Sequence, residues 1–254
     1  MNRRGISWLC ALGAGLTASA ALWPAPAAAE GDLSGRWVMA QLSVTVAEVP
    51  VVGKIYASTR TVTLHDLDHD GDRLHGPGEL CQLELDSGST FVSTKLPKAF
   101  KRSLPRPSFD ARVGRDDSGN VTLRQPKRTV VVGAKLDEPT RDPLPRKPGD
   151  ATVYDQDRDG HPGVTVVVDG IVSGEIYVAQ RSWTRLSGTM VGREGFGGRL
   201  EHGSEQNILQ ATSSMLDDPP DQKPLPSKSW FRMTRLSDDA TCKTARAVAS
   251  RWLR

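Results

Sequence analysis

An excess of charge of either sign is missing from this sequence, and so are the signatures of common hydrolases. The 33 lysines and arginines nearly balance the 30 aspartates and glutamates. A nearly neutral chain lacks the positive field that nucleic-acid binding uses, so the composition argues against a nucleic-acid partner. The sequence has neither a Gly-x-Ser-x-Gly nor a His-Glu-x-x-His motif. No residue is therefore predicted to be catalytic, and we expect a protein that is not an enzyme.

Long apolar runs are also scarce, and the one that is present stands at the N-terminus. Residues 6–22 are apolar or small, follow Arg3 and Arg4, and precede a run of three alanines at positions 27–29. This arrangement predicts a signal peptide over residues 1–29 that is cleaved on export to the periplasm or the medium. No transmembrane anchor is expected after cleavage, and residues 30–254 are predicted to form a single β-rich domain.

Cysteine is rare, with three in the whole sequence. Cys10 lies in the predicted signal peptide, which leaves Cys81 and Cys242 in the mature chain. An even pair in an oxidising compartment is typical of a disulfide. We therefore predict a bridge that ties an early strand to the C-terminal segment.

Alternation of apolar and polar residues dominates the rest of the chain, and this is the period of a half-buried β-strand. The segments that show this alternation or a β-rich composition are residues 40–46, 61–64, 81–86, 128–134, 163–168, 174–181, 186–191, 207–212 and 231–234. Three proline-rich stretches, 97–107, 138–148 and 217–226, are predicted to be surface loops. Many short strands and few helices predict an all-β fold, an antiparallel β-barrel or sandwich.

One α-helix is predicted at the C-terminus. Ser237 is the expected N-cap, with Asp238 and Asp239 in the first turn. The apolar residues beyond it recur at helical spacing and include one of the two cysteines: Cys242, Ala245, Val248, Ala249 and Trp252. We expect this stripe to pack on the β-structure above Cys81.

Two aspartate ladders share the pattern Asp-x-Asp-x-Asp-Gly. The first contains Asp66, Asp68, Asp70 and Gly71, with Asp72 as an additional acid, and the second contains Asp155, Asp157, Asp159 and Gly160. Alternate carboxylates before a glycine that permits a tight turn can direct oxygen ligands at one hard cation, so calcium is the predicted cofactor of both ladders. Neither ladder is an EF-hand, because position twelve is Pro77 in one and Val166 in the other, where a glutamate is needed. The second ladder resembles calcium loops that precede a strand in secreted β-proteins. The competing interpretation is that Asp-Gly turns merely end exposed hairpins.

Histidines near the first ladder leave an enzymatic alternative open. His65 or His69 beside Asp68 could hold a metal ion whose bound water attacks a substrate, which would make the protein a metal-dependent periplasmic hydrolase.

A basic run follows the first ladder and contains Lys95, Lys98, Lys101 and Arg102. Such a run could contact an anionic envelope surface or a polysaccharide, or it could simply be a solvated loop.

Gly35-Arg36-Trp37 opens the first predicted strand. This Gly-x-Trp motif resembles the start of lipocalins and other calycin barrels, in which the tryptophan closes one end of an up-and-down barrel around an apolar ligand. The Thr-Asp-Tyr turn of that family is absent, and no arginine late in the sequence stands out as the family's partner of the tryptophan. The resemblance implies a carrier of a small apolar ligand. The leading hypothesis remains a secreted or periplasmic binding or structural β-protein, stabilised by calcium at the two ladders.

Overall fold

The computed structural model describes residues 31–49, 53–217 and 220–253. The predicted signal peptide and its cleavage site before Glu30 lie outside the described residues. The β-strands are β1 Gly35–Val49, β2 Gly53–Asp70, β3 Arg73–Asp86, β4 Val92–Lys95, β5 Ser108–Arg115, β6 Val121–Val132, β7 Val164–Gly170, β8 Gly174–Met190, β9 Gly195–Ala211, β10 Gln222–Pro224 and β11 Trp230–Arg235. The helices are α1 Lys98–Ser103, α2 Cys242–Ala249 and the 3₁₀ turns Ser214–Leu216 and Pro226–Lys228.

Eight of these strands close into a ring, which decides between the two predicted all-β architectures in favour of a barrel. The order around the ring is β1, β2, β3, β5, β6, β8, β9 and β11, and β11 pairs back with β1. Each ring strand is antiparallel to its neighbours, and ring neighbours follow one another along the chain when β4, β7 and β10 are left out. The ring is therefore an up-and-down meander, and closure pairs the strand edges that an open sheet would expose.

Alternation along the strands divides the apolar residues between the inside and the outside of the ring. Trp37 and Met39 of β1 belong to the inner core, whereas Val38 and Ala40 belong to a second cluster beneath α2. The inner core consists of apolar side chains from every ring strand and from Leu33, which precedes β1: Leu33, Trp37, Met39, Leu67, Leu74, Phe109, Ala111, Val121, Leu123, Leu186, Phe196, Leu200, Phe231 and Met233. The apolar residues that alternate along each strand therefore also fill the interior of the barrel.

The C-terminal helix packs outside the ring as predicted, but it begins later than predicted. α2 starts at Cys242, and Thr241 caps it in a reciprocal capping box with Thr244, so Ser237 is not the N-cap. Thr241 lies nearer the apolar stripe than Ser237 and serves as the cap in its place. Asp238 and Asp239 therefore precede the helix and do not form its first turn. Ala245 and Ala249 are fully buried against the barrel wall.

The predicted disulfide is present between Cys81 of β3 and Cys242 at the start of α2. The two Cα atoms are 5.0 Å apart, and 161 residues separate the cysteines in sequence. The bridge fixes the helix to the wall and closes a long loop, which constrains the unfolded chain.

The proline-rich segment 97–107, predicted as a surface loop, contains α1. β3 pairs with β5 only as far as Pro77, and β6 pairs with β5 only as far as Arg124, so the far halves of β3 and β6 have no described strand between them. Phe100 of α1 fills this gap, since it is 7% exposed and packs in one cluster with Val132 of β6 and Leu83 of β3. Burial of one aromatic side chain thus holds a helix where proline content alone indicates a loop.

Residues Asp32–Arg254 form one compact unit. Among the described residues, no helix is long and apolar enough to cross a membrane.

Candidate metal centre

The second ladder lies in a loop between the end of β6 and the start of β7, here called the aspartate loop (residues 155–160). Two backbone bonds frame it, from Tyr154 N to Gly133 O at 3.1 Å and from Gln156 N to Gly163 O at 3.0 Å. The Gln156 side chain donates to Ser103 O at 2.9 Å and accepts from Gly133 N at 3.0 Å. The loop is thereby attached both to the barrel wall and to the end of α1.

The structure brings the three carboxylates of this ladder together. One oxygen from each of Asp155, Asp157 and Asp159 lies within 4.8 Å of the other two. Because calcium–oxygen bonds are 2.3–2.6 Å long, two ligands of one Ca²⁺ stand no more than about 5 Å apart. The three side chains therefore have the spacing that a shared calcium ion requires.

Asp157 is the buried member of the group. The residue is 9% exposed, and one of its carboxylate oxygens accepts a hydrogen bond from Thr165 N at 3.0 Å. The other oxygen, Oδ1, is buried and has no hydrogen-bond partner among the described residues. Burial raises the pKa of the Asp157 carboxyl, and the charges of Asp159 and Asp155 raise it further against the opposing Thr165 N–H. A buried anion without a partner is costly, and a bound cation would remove that cost.

The other two carboxylates are held by the loop itself. Asp155 accepts from Asp159 N at 3.2 Å and from Gly160 N at 3.0 Å. Asp159 accepts from His161 N at 3.0 Å and also from the Thr165 hydroxyl. These bonds fix the orientation of both side chains, so the group is assembled before any ion binds.

Two residues with left-handed backbone conformation make the turn tight enough for the three aspartates to converge. Gly160 has φ +88° and serves as the predicted turn glycine, while Arg158 has φ +60°, the only non-glycine residue with positive φ in the described chain. A side chain in this region is unfavourable unless the surroundings impose it. Here the hydrogen bonds at Gln156 and Asp157 on one side and Asp159 on the other impose it.

The residues that support the loop were not predicted from the sequence. Thr165 binds two of the three aspartates, and the His161 ring stacks on Tyr177 at 4.2 Å between centroids. Tyr177 in turn donates to Glu175 at 3.0 Å. Thr165 alternates with Val164 and Val166, which pack in the apolar cluster of Phe100, and a polar residue at this place in a valine run is a signal in the sequence. The partners Tyr177 and Glu175 on β8 give no such signal.

The first ladder lies on a strand and not in the predicted loop, whereas calcium binding by its acids stays a prediction. Asp66, Asp68 and Asp70 lie on β2, exposed on one face, and β2 pairs with β3 as far as Asp70↔Arg73. Side chains on alternate strand residues point the same way about 7 Å apart and do not converge. Gly71, with φ +60°, sits with Asp72 in the two-residue hairpin turn.

Arginines bind two acids of this first ladder. Asp66 accepts two hydrogen bonds from the Arg36 guanidinium, at 2.8 and 3.0 Å, and this pairing lowers the pKa of the Asp66 carboxyl. Asp72 forms an ion pair with Arg112. Within the described residues the acids that share one potential metal position are those of the second ladder alone.

The histidines of the hydrolase alternative face away from the ladder aspartates. His65 is 1% exposed inside the ring, bonded to the Thr63 hydroxyl at 2.8 Å and packed on Phe109 at 5.7 Å. Burial lowers the pKa of His65 to about 4. His69 lies on the same strand face as His65, and its Nδ1 accepts from Leu33 N at 3.4 Å. The strand alternation thus separates both imidazoles from Asp68.

The basic run divides in the structure. Lys95 on β4 forms an ion pair with Asp169 of β7, while Lys98, Lys101 and Arg102 belong to α1. The helix points these cations in different directions, because Lys101 lines one surface cleft and Arg102 another.

Trp37 has a partner that the sequence analysis did not identify. The indole is fully buried and donates to Leu33 O at 2.9 Å, and the Arg235 guanidinium lies over its ring at 5.5 Å from the centroid. Arg235 is the last residue of β11 and is the register partner of Trp37. The pairing of β11 with β1, which the sequence does not reveal, identifies Arg235 as the arginine beside Trp37.

Comparison of the chain with known proteins found no matching family model, no matching curated protein and no matching solved structure. The resemblance of Gly35-Arg36-Trp37 to calycins therefore stays a prediction.

Proposed function

We propose that this protein is a secreted or periplasmic, non-catalytic binding barrel that takes one calcium ion in the aspartate loop. Two observations on Asp157 carry the proposal together: its buried Oδ1 has no described partner, and one of its carboxylate oxygens lies within 4.8 Å of an oxygen from each of Asp155 and Asp159. Calcium fits this donor set, since all three ligands are hard oxygens and the loop offers no imidazole or thiolate among them.

Isothermal titration calorimetry of the mature protein with Ca²⁺ tests the proposal. We expect one site per chain, and not the two that the repeated motif predicts. Asp157→Asn should abolish the heat of binding, whereas the matched change Asp68→Asn in the first ladder should leave it unaltered. Mg²⁺ should bind more weakly, because it demands a rigid octahedral set that a loop of three carboxylates does not supply. Heat that persists in Asp157→Asn would refute the proposal.

A second candidate function is that of a calycin-like carrier. Two observations favour it: the eight-stranded meander closes on itself, and Arg235 covers Trp37 at one end of the ring. Polar residues of β2 and β8 share the inner face toward the other end, including Thr61 and Thr184, which are half-buried. Native mass spectrometry of freshly purified protein tests this function, with a retained small molecule as the expected result. Release of that molecule by Met39→Trp, which adds volume to the inner core, would locate it inside the ring.

A further inference from the structure

A shallow cleft of about 690 Å³ lies between α1 and the aspartate loop. Arg102 and Ser103 line it from the helix, and Tyr154, Asp157 and Arg158 line it from the loop side. Gln156 joins the two walls through its bond to Ser103 O at 2.9 Å. The cleft and the candidate metal centre therefore share Asp157 and one rigid frame.

The cleft presents cations that have no carboxylate partner. Arg102 donates through Nε to Lys98 O at 3.3 Å, and neither its guanidinium nor that of Arg158 forms a salt bridge to a described residue. Lys135 does not line the cleft, but its Nζ lies 4.0 Å above the ring of the lining residue Tyr154 and adds a third cation nearby. Unpaired guanidinium groups beside an aromatic ring form a surface suited to an anionic group on a flat, polar molecule.

The net charge of this region depends on the aspartate loop. Without a cation, the three carboxylates of Asp155, Asp157 and Asp159 offset the nearby cations, so the cleft has no net positive charge to attract an anion. A divalent ion held by the same carboxylates makes the net charge positive. Since Ca²⁺ takes six to eight oxygens, its remaining coordination positions also stay available to oxygens of a ligand.

We propose that this cleft binds an acidic sugar, through its carboxylate or sulfate groups, and that it does so only when Ca²⁺ is bound in the aspartate loop. This inference rests on the proposed function. A sugar suits the lining better than a membrane does, because the large apolar side chains that are exposed in the described chain lie elsewhere: Tyr56, Phe91, Val130, Ile171, Val191 and Met215. Attachment to a lipid surface needs such side chains for insertion, whereas this cleft offers arginines and a tyrosine.

Calorimetry with a heparin-derived tetrasaccharide tests the inference on the mature protein. In saturating Ca²⁺ the tetrasaccharide should bind, and in chelator its affinity should fall about tenfold or more, a coupling within the range known for linked sites. By the same linkage, the sugar should tighten Ca²⁺ binding by the same factor. Neutral maltotetraose should not bind under either condition.

Three variants locate the site. Arg102→Gln and Arg158→Asn should each weaken tetrasaccharide binding by about fivefold or more, since each removes a charge-assisted contact. Asparagine tolerates the left-handed conformation of residue 158, so that variant keeps the loop intact. Arg106→Gln is the matched control. Arg106 lines a separate cleft on the other side of α1, so its replacement should not change tetrasaccharide binding.

The outcomes separate this inference from the proposed function. Calcium binding without any tetrasaccharide binding would refute the acidic-sugar site and leave the calcium site standing. Tetrasaccharide binding of equal strength in chelator would refute the coupling, and absence of calcium heat would refute the proposed function itself. If the protein sediments with phosphatidylglycerol vesicles but does not bind the tetrasaccharide in solution, the acidic-sugar site is refuted and a lipid surface is the ligand instead.

Discussion

Replacement of Asp157 by asparagine should have opposite effects on stability in the presence and absence of calcium. Asparagine keeps an oxygen that can accept from Thr165 N, the bond that Asp157 makes at 3.0 Å. It removes the buried charge whose Oδ1 has no described partner and which lies beside Asp155 and Asp159. In chelator, the variant should therefore be more stable than the wild type.

The magnitude follows from the cost of an unsatisfied buried polar group, which is about 1–3 kcal/mol. We take the lower end, about 1 kcal/mol, because the loop lies at the surface. For a domain of this size that raises the melting temperature by about 2–4 °C. Wild-type protein at a Ca²⁺ concentration 100 times its dissociation constant gains about 2.7 kcal/mol, which the variant cannot gain. The order of the two melting temperatures should thus invert when calcium is added.

The pH dependence has a definite sign as well. In the folded protein without calcium the pKa of Asp157 is raised, so between the unfolded and the folded pKa the native state binds more protons than the unfolded state. This contribution to the free energy of unfolding is therefore favourable at low pH and is lost as the pH rises through the folded pKa. Bound calcium would stabilise the carboxylate and lower that pKa, so the stabilisation by calcium should grow as the pH rises through the folded pKa of Asp157.

Thermal unfolding followed by circular dichroism, at pH 5 and pH 7 with calcium or chelator, measures all of these effects. Asp68→Asn is the control, because Asp68 is exposed on β2, and it should shift neither curve. A variant at Asp157 that is less stable than wild type in both calcium and chelator would contradict the reasoning, since it would mean that the charge is already compensated within the loop.

Three further predictions concern the barrel. Replacement of both Cys81 and Cys242 by serine should lower the free energy of unfolding by about 2–4 kcal/mol, measured by urea denaturation, because the bridge closes a loop of 161 residues; an unchanged midpoint would exclude this role. Gly78→Ala should destabilise by at least about 1 kcal/mol, since its Cβ would stand 2.4 Å from Nδ1 of the buried His65 ring, whereas Gly149→Ala meets no atom within 4 Å and should be neutral. Burial lowers the pKa of His65 in the folded protein to about 4, below its ordinary value of 6.5, so stability should fall as the pH drops from 6.5 to 4, and His65→Gln should flatten that part of the curve.

Much of the fold could be predicted from local pattern. Period-two alternation identified the strands because each ring strand has one face in the core and one outside, as Trp37 and Val38 illustrate. The pairing of Cys81 with Cys242 followed from counting the cysteines of the mature chain. The position of α2 followed from its apolar stripe, although its first residue did not, because several polar residues before Cys242 could each have served as the cap.

The candidate site could be predicted only in part. The acids were identified from their spacing, yet the same spacing occurs in a strand at Asp66 and in a loop at Asp155. Strand pairing distinguishes the two: β2 has β1 on one side and β3 on the other, so its backbone groups are satisfied in extended form. The second ladder follows a single bridge between Ala134 and Val153 and is held by the Gln156 side chain.

Local pattern was enough to predict an antiparallel β-structure with one disulfide and two groups of clustered acids, because alternation, composition and residue spacing are local properties of the chain. Closure of the strands into a ring, the position of Arg235 over Trp37, and the convergence of one acid group but not the other follow from long-range pairing. Each of these depends on which distant segments pair, and the hydrogen bonds of that pairing are satisfied between residues far apart in the chain.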